Sequence, residues 1–144
     1  QWAGQIARDS RLADKSGWCP VDQLTFESTI QKGIHVIGDS AIAGAMPKSG
    51  FSASNQAKIA AAAVIALLNN KEPTSASMAN TCYSFLSPDY AISVSDVYKL
   101  SGREIVSVKG SGGSSSPEAH SSVRRAEAVY AQGWYDSITH DMFG

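Results

Sequence analysis

The sequence predicts a mixed α+β fold, and three observations carry that expectation. The block from Ala53 to Leu68 is rich in Ala and Leu and holds one charge, Lys58, the composition of a buried helix. Residues 81–109 contain three apolar, extended runs, two of them joined by Ser101-Gly102, which reads as a hairpin. After a Gly/Ser-rich stretch, apolar residues recur at Val123, Ala126, Tyr130, Trp134 and Ile138, the spacing of one helix face. The chain has 144 residues, 43% of them hydrophobic, enough for one ordinary domain or part of a larger one.

Charge and composition narrow the function. A formal net charge of −1 offers no electrostatic footprint for nucleic acid. The most apolar stretch, Ile59 to Leu68, is shorter than the roughly 18 residues expected of a membrane-crossing helix, so no span is expected. The chain starts at Gln1 without Met and shows no signal peptide, which reads as a processed chain or a fragment. Two cysteines, Cys19 and Cys82, are too few for a disulfide-stapled scaffold. They can pair together, stay free or pair outside the chain, and the sequence leaves all three open.

In chain order, a short helix is expected around Ile6 to Leu12, then an extended Trp18 to Val21 interrupted by Pro20, whose missing N–H suits an edge or turn. Lys32-Gly33 marks a turn, and Ile34 to Ile37 reads as a short strand. Ser52 is the expected N-cap of the helix Ala53 to Leu68, and Asn69-Asn70 with Pro73 ends it. In the strand Thr81 to Leu86, Thr81, Tyr83 and Phe85 are expected on one face, with Cys82, Ser84 and Leu86 on the other. The runs Ala91 to Leu100 and Arg103 to Lys109 form the hairpin. Gly110 to Ser116, "GSGGSSS", reads as a flexible loop. The last helix is expected from Pro117-Glu118 to about His140.

The chemistry concentrates at "IHVIGDSAIAGAMPKSGFSASNQAK". An Asp at the end of a buried strand is costly unless something donates to it, and a bound polyol would. Gly38 removes a side chain that would block a ligand, leaving Asp39 to accept hydrogen bonds from its hydroxyls. A helix starting near Ser52 would aim free N–H groups and partial positive charge past the loop. The plainer alternative is an Asp that caps its own turn, since Gly-Asp is a common dipeptide.

The block "GIHVIGDSAIAGAMPKSGFSASNQAKIAAAAVIALL" resembles the second FAD-binding motif of flavoproteins with two dinucleotide-binding domains. Together with "GWCPVDQLTFEST", "NTCYSFLSPDYAISVSDVYKL" and "WYDSITHDMFG", it resembles the flavoprotein subunit of flavocytochrome c sulfide dehydrogenase over nearly the whole chain. The resemblance implies the C-terminal part of that subunit. Residues 1–72 would be the C-terminal segment of an FAD-binding βαβ domain, and residues 73–144 a small α+β domain that covers the flavin and meets the partner. It further implies that Asp39, with Gly38 and Ser40, holds the ribityl chain of FAD, and that Met46, Pro47, Lys48 and Ser49 line the isoalloxazine together with the helix that follows. That helix N-terminus would favour the negative charge of the reduced ring. Cys82 matches the C-terminal member of a redox-active cysteine pair, and Trp134 an aromatic near the ring. The implied activity is oxidation of sulfide, with electrons passing through FAD to a haem-containing cytochrome c subunit in the periplasm. The family's GxGxxG turn and its other redox cysteine do not occur in these 144 residues, so the chain alone is expected to be inactive and to need the N-terminal remainder of the flavoprotein.

Each site residue has a structural alternative. Cys82 would otherwise be a small buried hydrophobe, and Trp134 ordinary core. Cys19, between Trp18 and Pro20, is expected to be structural. His35 and His140 carry no assigned role. No cluster has metal-ligand spacing, and no hydrolase motif occurs. Two other functions compete: a sulfide:quinone oxidoreductase, which needs a membrane-facing C-terminal helix, and a non-catalytic interaction module or proteolytic piece. Arg124, Arg125, Glu127 and Asp136 form no basic cluster on that helix, which favours a soluble electron acceptor. The apolar helix from Ala53 is expected to keep an uncovered face in the isolated chain.

Overall fold

The computed structural model describes residues 2–144. A short helix, α1, spans Gln5–Asp9. Strand β1, Cys19–Pro20, pairs in parallel with β2, Ala41–Ile42. The strand expected at Ile34 to Ile37 does not form: His35 makes one isolated bridge to Glu27, and Gly38–Ser40 is a turn of 3-10 helix. The Phe26–Ser28 segment lies beside it, with the Ser28 N–H on the Ile34 carbonyl at 2.7 Å and the Val36 N–H on the Phe26 carbonyl at 2.9 Å, but Phe26 takes a left-handed φ of 58° and the pairing goes no further. Instead, His35 Nδ1 bonds the Thr25 carbonyl oxygen at 2.8 Å, which fixes the segment locally.

Helix α2, Gly50–Leu68, begins three residues before the expected start, and its N-cap is Ser49, not Ser52. Ser49 has the extended backbone that a cap requires, and its Oγ accepts the Ser52 N–H at 3.1 Å. The Ser52 hydroxyl is committed elsewhere, to Asn80 Oδ1 at 3.2 Å. Ser52, Gln56, Ala60 and Ala63 form the buried face. At its far end Ile65 and Leu68 are 63% and 78% exposed, the uncovered apolar surface expected of this helix. By length and composition alone α2 could cross a membrane, unlike the shorter run read from the sequence. Its first half is nevertheless tied to the rest of the fold by polar side chains.

Four strands form the main sheet. β3, Met78–Ser87, pairs antiparallel with β4, Tyr90–Ser101, from Met78↔Tyr98 to Ser87↔Tyr90. β5, Glu104–Ser107, continues the hairpin, with Ser101 opposite Glu104, so the turn is Gly102-Arg103, one residue beyond Ser101-Gly102. The Gly/Ser-rich stretch is not a free loop. Gly113–Ser114 forms β6 against Val94 and Ser95 of β4. The Ser111 hydroxyl donates to Asp96 Oδ1 at 2.6 Å, and the Ser115 N–H donates to the Ser93 carbonyl at 2.9 Å. Serine hydroxyls supply what the sequence lacks in apolar contacts.

Helix α3, Ser121–Phe143, starts after Pro117-Glu118, with the His120 ring as N-cap. Its buried face is Arg124, Ala128 and Ala131, one step around from the apolar marks in the sequence. Val123 and Tyr130 are largely exposed. The alanines let α3 lie close on β4, and its aromatics point elsewhere. Arg124 is buried by pairing with Glu127 at 2.7 Å. Glu127 in turn accepts the Ser93 and Ser115 hydroxyls.

The main core joins Phe26, Ala41, Ala43, Met46 and Ala60 to Met78, Tyr98 and Ile105. It therefore draws on both sides of the expected division at residue 72. Each large side chain in it contributes about 1.5–3 kcal/mol by leaving water. A second cluster gathers Ala3, Ala7, Leu12 and Cys19.

Candidate functional site

β3 is an edge strand of the main sheet, and a groove of about 500 Å³ runs along that edge, between it, the first turn of α2 and one side of α3. Its walls include Phe51, Cys82, Tyr83, Phe85, Trp134 and Tyr135. Side-chain alternation separates Cys82 from Thr81, Tyr83 and Phe85 in the sequence, yet all four line the groove. A groove that wraps a strand edge can be reached from both faces. Phe51 and Trp134 stack on each other in its wall, with ring centroids 5.5 Å apart and planes 12° apart.

Cys82 is exposed and free, so it is not the small core residue of the structural alternative. Its sulfur accepts a hydrogen bond from Asn80 Nδ2 at 3.3 Å. Cys19 is fully buried and free, as expected of a structural residue. Burial raises its thiol pKa, and Asp14 adds to this while Lys48 opposes it. Burial also raises the Tyr83 phenol, with Glu127 and Tyr130 adding to it, which keeps a neutral hydroxyl in the groove wall.

A second cavity, about 440 Å³ and mostly apolar, lies on the other side of α2's start, lined by Ile37, Ala53, Ala57, Ile138 and Met142. Gly50 borders both cavities. The Lys58–Asp141 ion pair, 3.0 Å, joins α2 to α3 beside it. The Gly-Asp turn sits near this cavity. The Gly38 N–H donates to Gln56 Oε1 of α2 at 2.7 Å. Gly38 has φ +68°, and a Cβ there would touch that of Ala53 at 3.4 Å. Asp39 is exposed in the turn, and Ser40 Oγ accepts the Gly4 N–H at 3.5 Å.

The loop residues divide. Ser49 borders the groove and caps α2. Met46 is core, 7% exposed, with its sulfur 3.9 Å from Gln56 Nε2. Pro47 is half-buried. Lys48 turns back on its own loop: its Nζ donates to the Asp39 and Ala41 carbonyls at 2.5 and 3.1 Å and lies 3.8 Å from the Trp18 ring centroid. Burial lowers its pKa, and Asp39 and Cys19 oppose that shift. These contacts make Lys48 and Met46 supports of the loop. Cys82, Trp134 and Ser49 meet at the groove, while Gly38 and Asp39 lie by the second cavity.

The sequence reading missed Phe51, Asn80 and Tyr135. Phe51 lies immediately beyond the loop singled out. Asn80 is two residues before Cys82 and so shares its strand face, a polar residue in an apolar run. That signal was available.

A flat aromatic stack, a free thiol and an adjoining apolar cavity define a site for a planar redox-active cofactor. Residues 74–143 match the family described as flavocytochrome c sulphide dehydrogenase, flavin-binding. The resemblance read from the sequence therefore holds over the C-terminal part of the chain, which matches a flavin-binding domain of this type, consistent with FAD. The residues present fit the group. Stacked aromatics offer a flat apolar wall to a tricyclic ring, the groove volume falls within the range of cofactor sites, and Ser49, Thr81 and Gln132 supply polar groups at its border.

Proposed function

We propose that this chain forms the thiol-bearing side of the flavin site in a periplasmic flavoprotein that oxidises sulfide and passes the electrons to a haem-containing cytochrome c subunit. The observation that carries the proposal is the exposed Cys82 sulfur on the wall of an aromatic groove, inside the segment that matches the flavin-binding family. In this reading Cys82 forms a disulfide with a second cysteine from outside these 144 residues. Hydrosulfide attacks one sulfur of that bond. A new S–S bond forms as a persulfide, and the other cysteine leaves as a thiolate carrying the electron pair. FAD, when bound, takes electrons as a pair and releases them singly, which suits a haem acceptor. Phe51 and Trp134 would hold the ring beside the sulfur and exclude water. With FAD bound, Asp39 would accept hydrogen bonds from the ribityl hydroxyls, and the first turn of α2 would favour negative charge on the ring.

Residues 1–72 complete an FAD-binding domain in this reading, and residues 73–144 cover the flavin and meet the cytochrome. The 144-residue chain alone, lacking a GxGxxG turn, binds FAD weakly and turns nothing over. The experiment is to purify the intact flavoprotein, record its visible spectrum and add sulfide with cytochrome c. Flavin absorbance and sulfide-dependent cytochrome reduction support the proposal; absence of both overturns it.

A quinone acceptor is the second reading. It is favoured by the exposed tip of α3, where Met142 and Phe143 are 64% and 80% exposed. Strong flotation of the intact protein with liposomes would select it over the soluble cytochrome.

A further inference from the structure

We propose that Asn80 is a positioning residue for Cys82, holding its sulfur toward the groove and stabilising its anionic form. The inference rests on the thiol role proposed for Cys82. Asn80 is 3% exposed, at the start of β3 where the strand leaves α2. Its Oδ1 receives two hydroxyls from α2: Ser49 Oγ at 2.5 Å and Ser52 Oγ at 3.2 Å. Ser49 Oγ already accepts the Ser52 N–H at 3.1 Å, so its own proton is free for Asn80. With both hydroxyl protons spent on Oδ1, the amide orientation is fixed. The NH₂ group must face the other way, and there it meets Cys82 Sγ at 3.3 Å.

The chain of contacts therefore runs from the cap of α2, through a buried amide, to the one thiol in the groove. A buried amide is a rigid donor, since turning it would leave two hydroxyl protons and its own oxygen without partners. A thiolate is a better acceptor than a thiol, and it is also the nucleophile and the leaving form in disulfide chemistry. A donor held at the sulfur thus favours the reactive state and the direction of attack. Besides Cys82, the titratable groups lining the groove, among the described residues, are the Tyr83 and Tyr135 phenols. No carboxylate or ammonium among the described residues lines the groove; on β4 Asp96 stands opposite Asn80 with its oxygens bound by Ser107 and Ser111, and the Tyr98 phenol lies near Cys82.

The test uses the 144-residue chain and two readouts at one fixed, mildly alkaline pH. The first is the rate at which iodoacetamide alkylates Cys82, followed by peptide mass. The second is the equilibrium with oxidised glutathione, in which the Cys82 thiolate attacks one glutathione sulfur, forms the mixed disulfide and releases the other glutathione as thiolate. Asn80→Ala removes the donor without adding charge and is the deciding variant; Asn80→Asp keeps an oxygen for Ser49 and Ser52 but replaces the donor by a carboxylate that itself repels a thiolate. In Asn80→Ala alkylation should slow by about tenfold or more, the loss of one hydrogen bond to a charged group, while the mixed disulfide becomes more favoured. Ser52→Ala should give a smaller change in the same direction. An unaltered rate in Asn80→Ala would overturn the proposal. So would faster alkylation, the signature of a residue that merely packs the strand. Alkylation of buried Cys19 marks any variant that has unfolded, and Ser52→Ala then decides the matter. If the intact protein fails to oxidise sulfide while these thiol effects hold, the proposed function falls and Asn80's role stands. If Cys82→Ser abolishes sulfide oxidation while the Asn80 variants react like the parent, the reverse is true.

Discussion

Phe51 and Trp134 stack face to face, 5.5 Å between ring centroids, and this pair joins the first turn of α2 to the second half of α3. The Lys58–Asp141 bridge makes the other polar link between these helices, but its side chains are 70% and 48% exposed. An ion pair so exposed contributes about 0–1 kcal/mol. The aromatic pair contributes about 0.5–1.5 kcal/mol beyond its buried area, so of the two links between α2 and α3 the stack is the stronger. A double-mutant cycle of Phe51→Ala and Trp134→Ala in urea should give a coupling in that range. A coupling indistinguishable from zero would mean that the rings do not stack in solution.

Gly44 should tolerate no side chain. Its φ is +57°, and a Cβ there would run into the Ile105 carbonyl oxygen and Gln23 Oε1. Both atoms are committed: Ile105 O accepts the Ala45 N–H at 2.9 Å and Gln23 Oε1 the Ile105 N–H at 2.6 Å. Gly44→Ala should destabilise the chain by about 2 kcal/mol or more, combining backbone strain with a clash against fixed atoms. Thermal unfolding then begins several degrees lower. An unchanged midpoint would show that the β5 contact is not made.

Acid should loosen the edge strand β6. Hydrogen bonds from Ser107 and then Ser111 hold the Asp96 pKa below its ordinary 3.8. At Glu127 burial pushes upward, but hydrogen bonds from Ser115, Arg124 and Ser93 outweigh it, and the pKa lies below the ordinary 4.5. A carboxyl depressed by folding gives stability that is fully present above its unfolded pKa and is lost as pH falls through the folded one. The unfolding midpoint should thus hold steady through neutral pH and decline once pH drops below about 4. Asp96→Asn should flatten part of that decline. An identical acid profile in Asp96→Asn would remove Asp96 from the account.

Much of the fold was legible because local chemistry and tertiary environment agree. The Ala/Leu block became α2, and the Ser-Gly link became a hairpin with its turn one residue on. Where the reading erred, the environment decided. The Ile34 to Ile37 run has β-branched residues, but its neighbour, Phe26 to Ser28, turns left-handed at Phe26 and pairs with it at one bridge only. "GSGGSSS" has the composition of a linker, yet Asp96, Ser93 and Glu127 on neighbouring elements bind its hydroxyls. Period alone put Val123 and Tyr130 in the core of α3; Arg124, Ala128 and Ala131 took that place because a buried guanidinium found Glu127 and small residues allow close packing. At the site, the family resemblance marked Cys82 and Trp134, and the Gly-Asp pair marked Asp39. Only the folded arrangement shows that Lys48 and Met46 serve the loop and that Asn80 stands between α2 and the thiol.

The central claim is that the Cys82 sulfur takes part in sulfide oxidation beside a flavin. The most direct measurement is rapid mixing of the intact flavoprotein with sulfide, following flavin bleaching in the parent and in Cys82→Ser. Loss of one sulfur from a disulfide removes the bond that sulfide attacks, so the variant should keep its bound flavin but lose sulfide-dependent bleaching by a factor of about 10³ or more. Bleaching in Cys82→Ser at a rate close to the parent's would contradict the account.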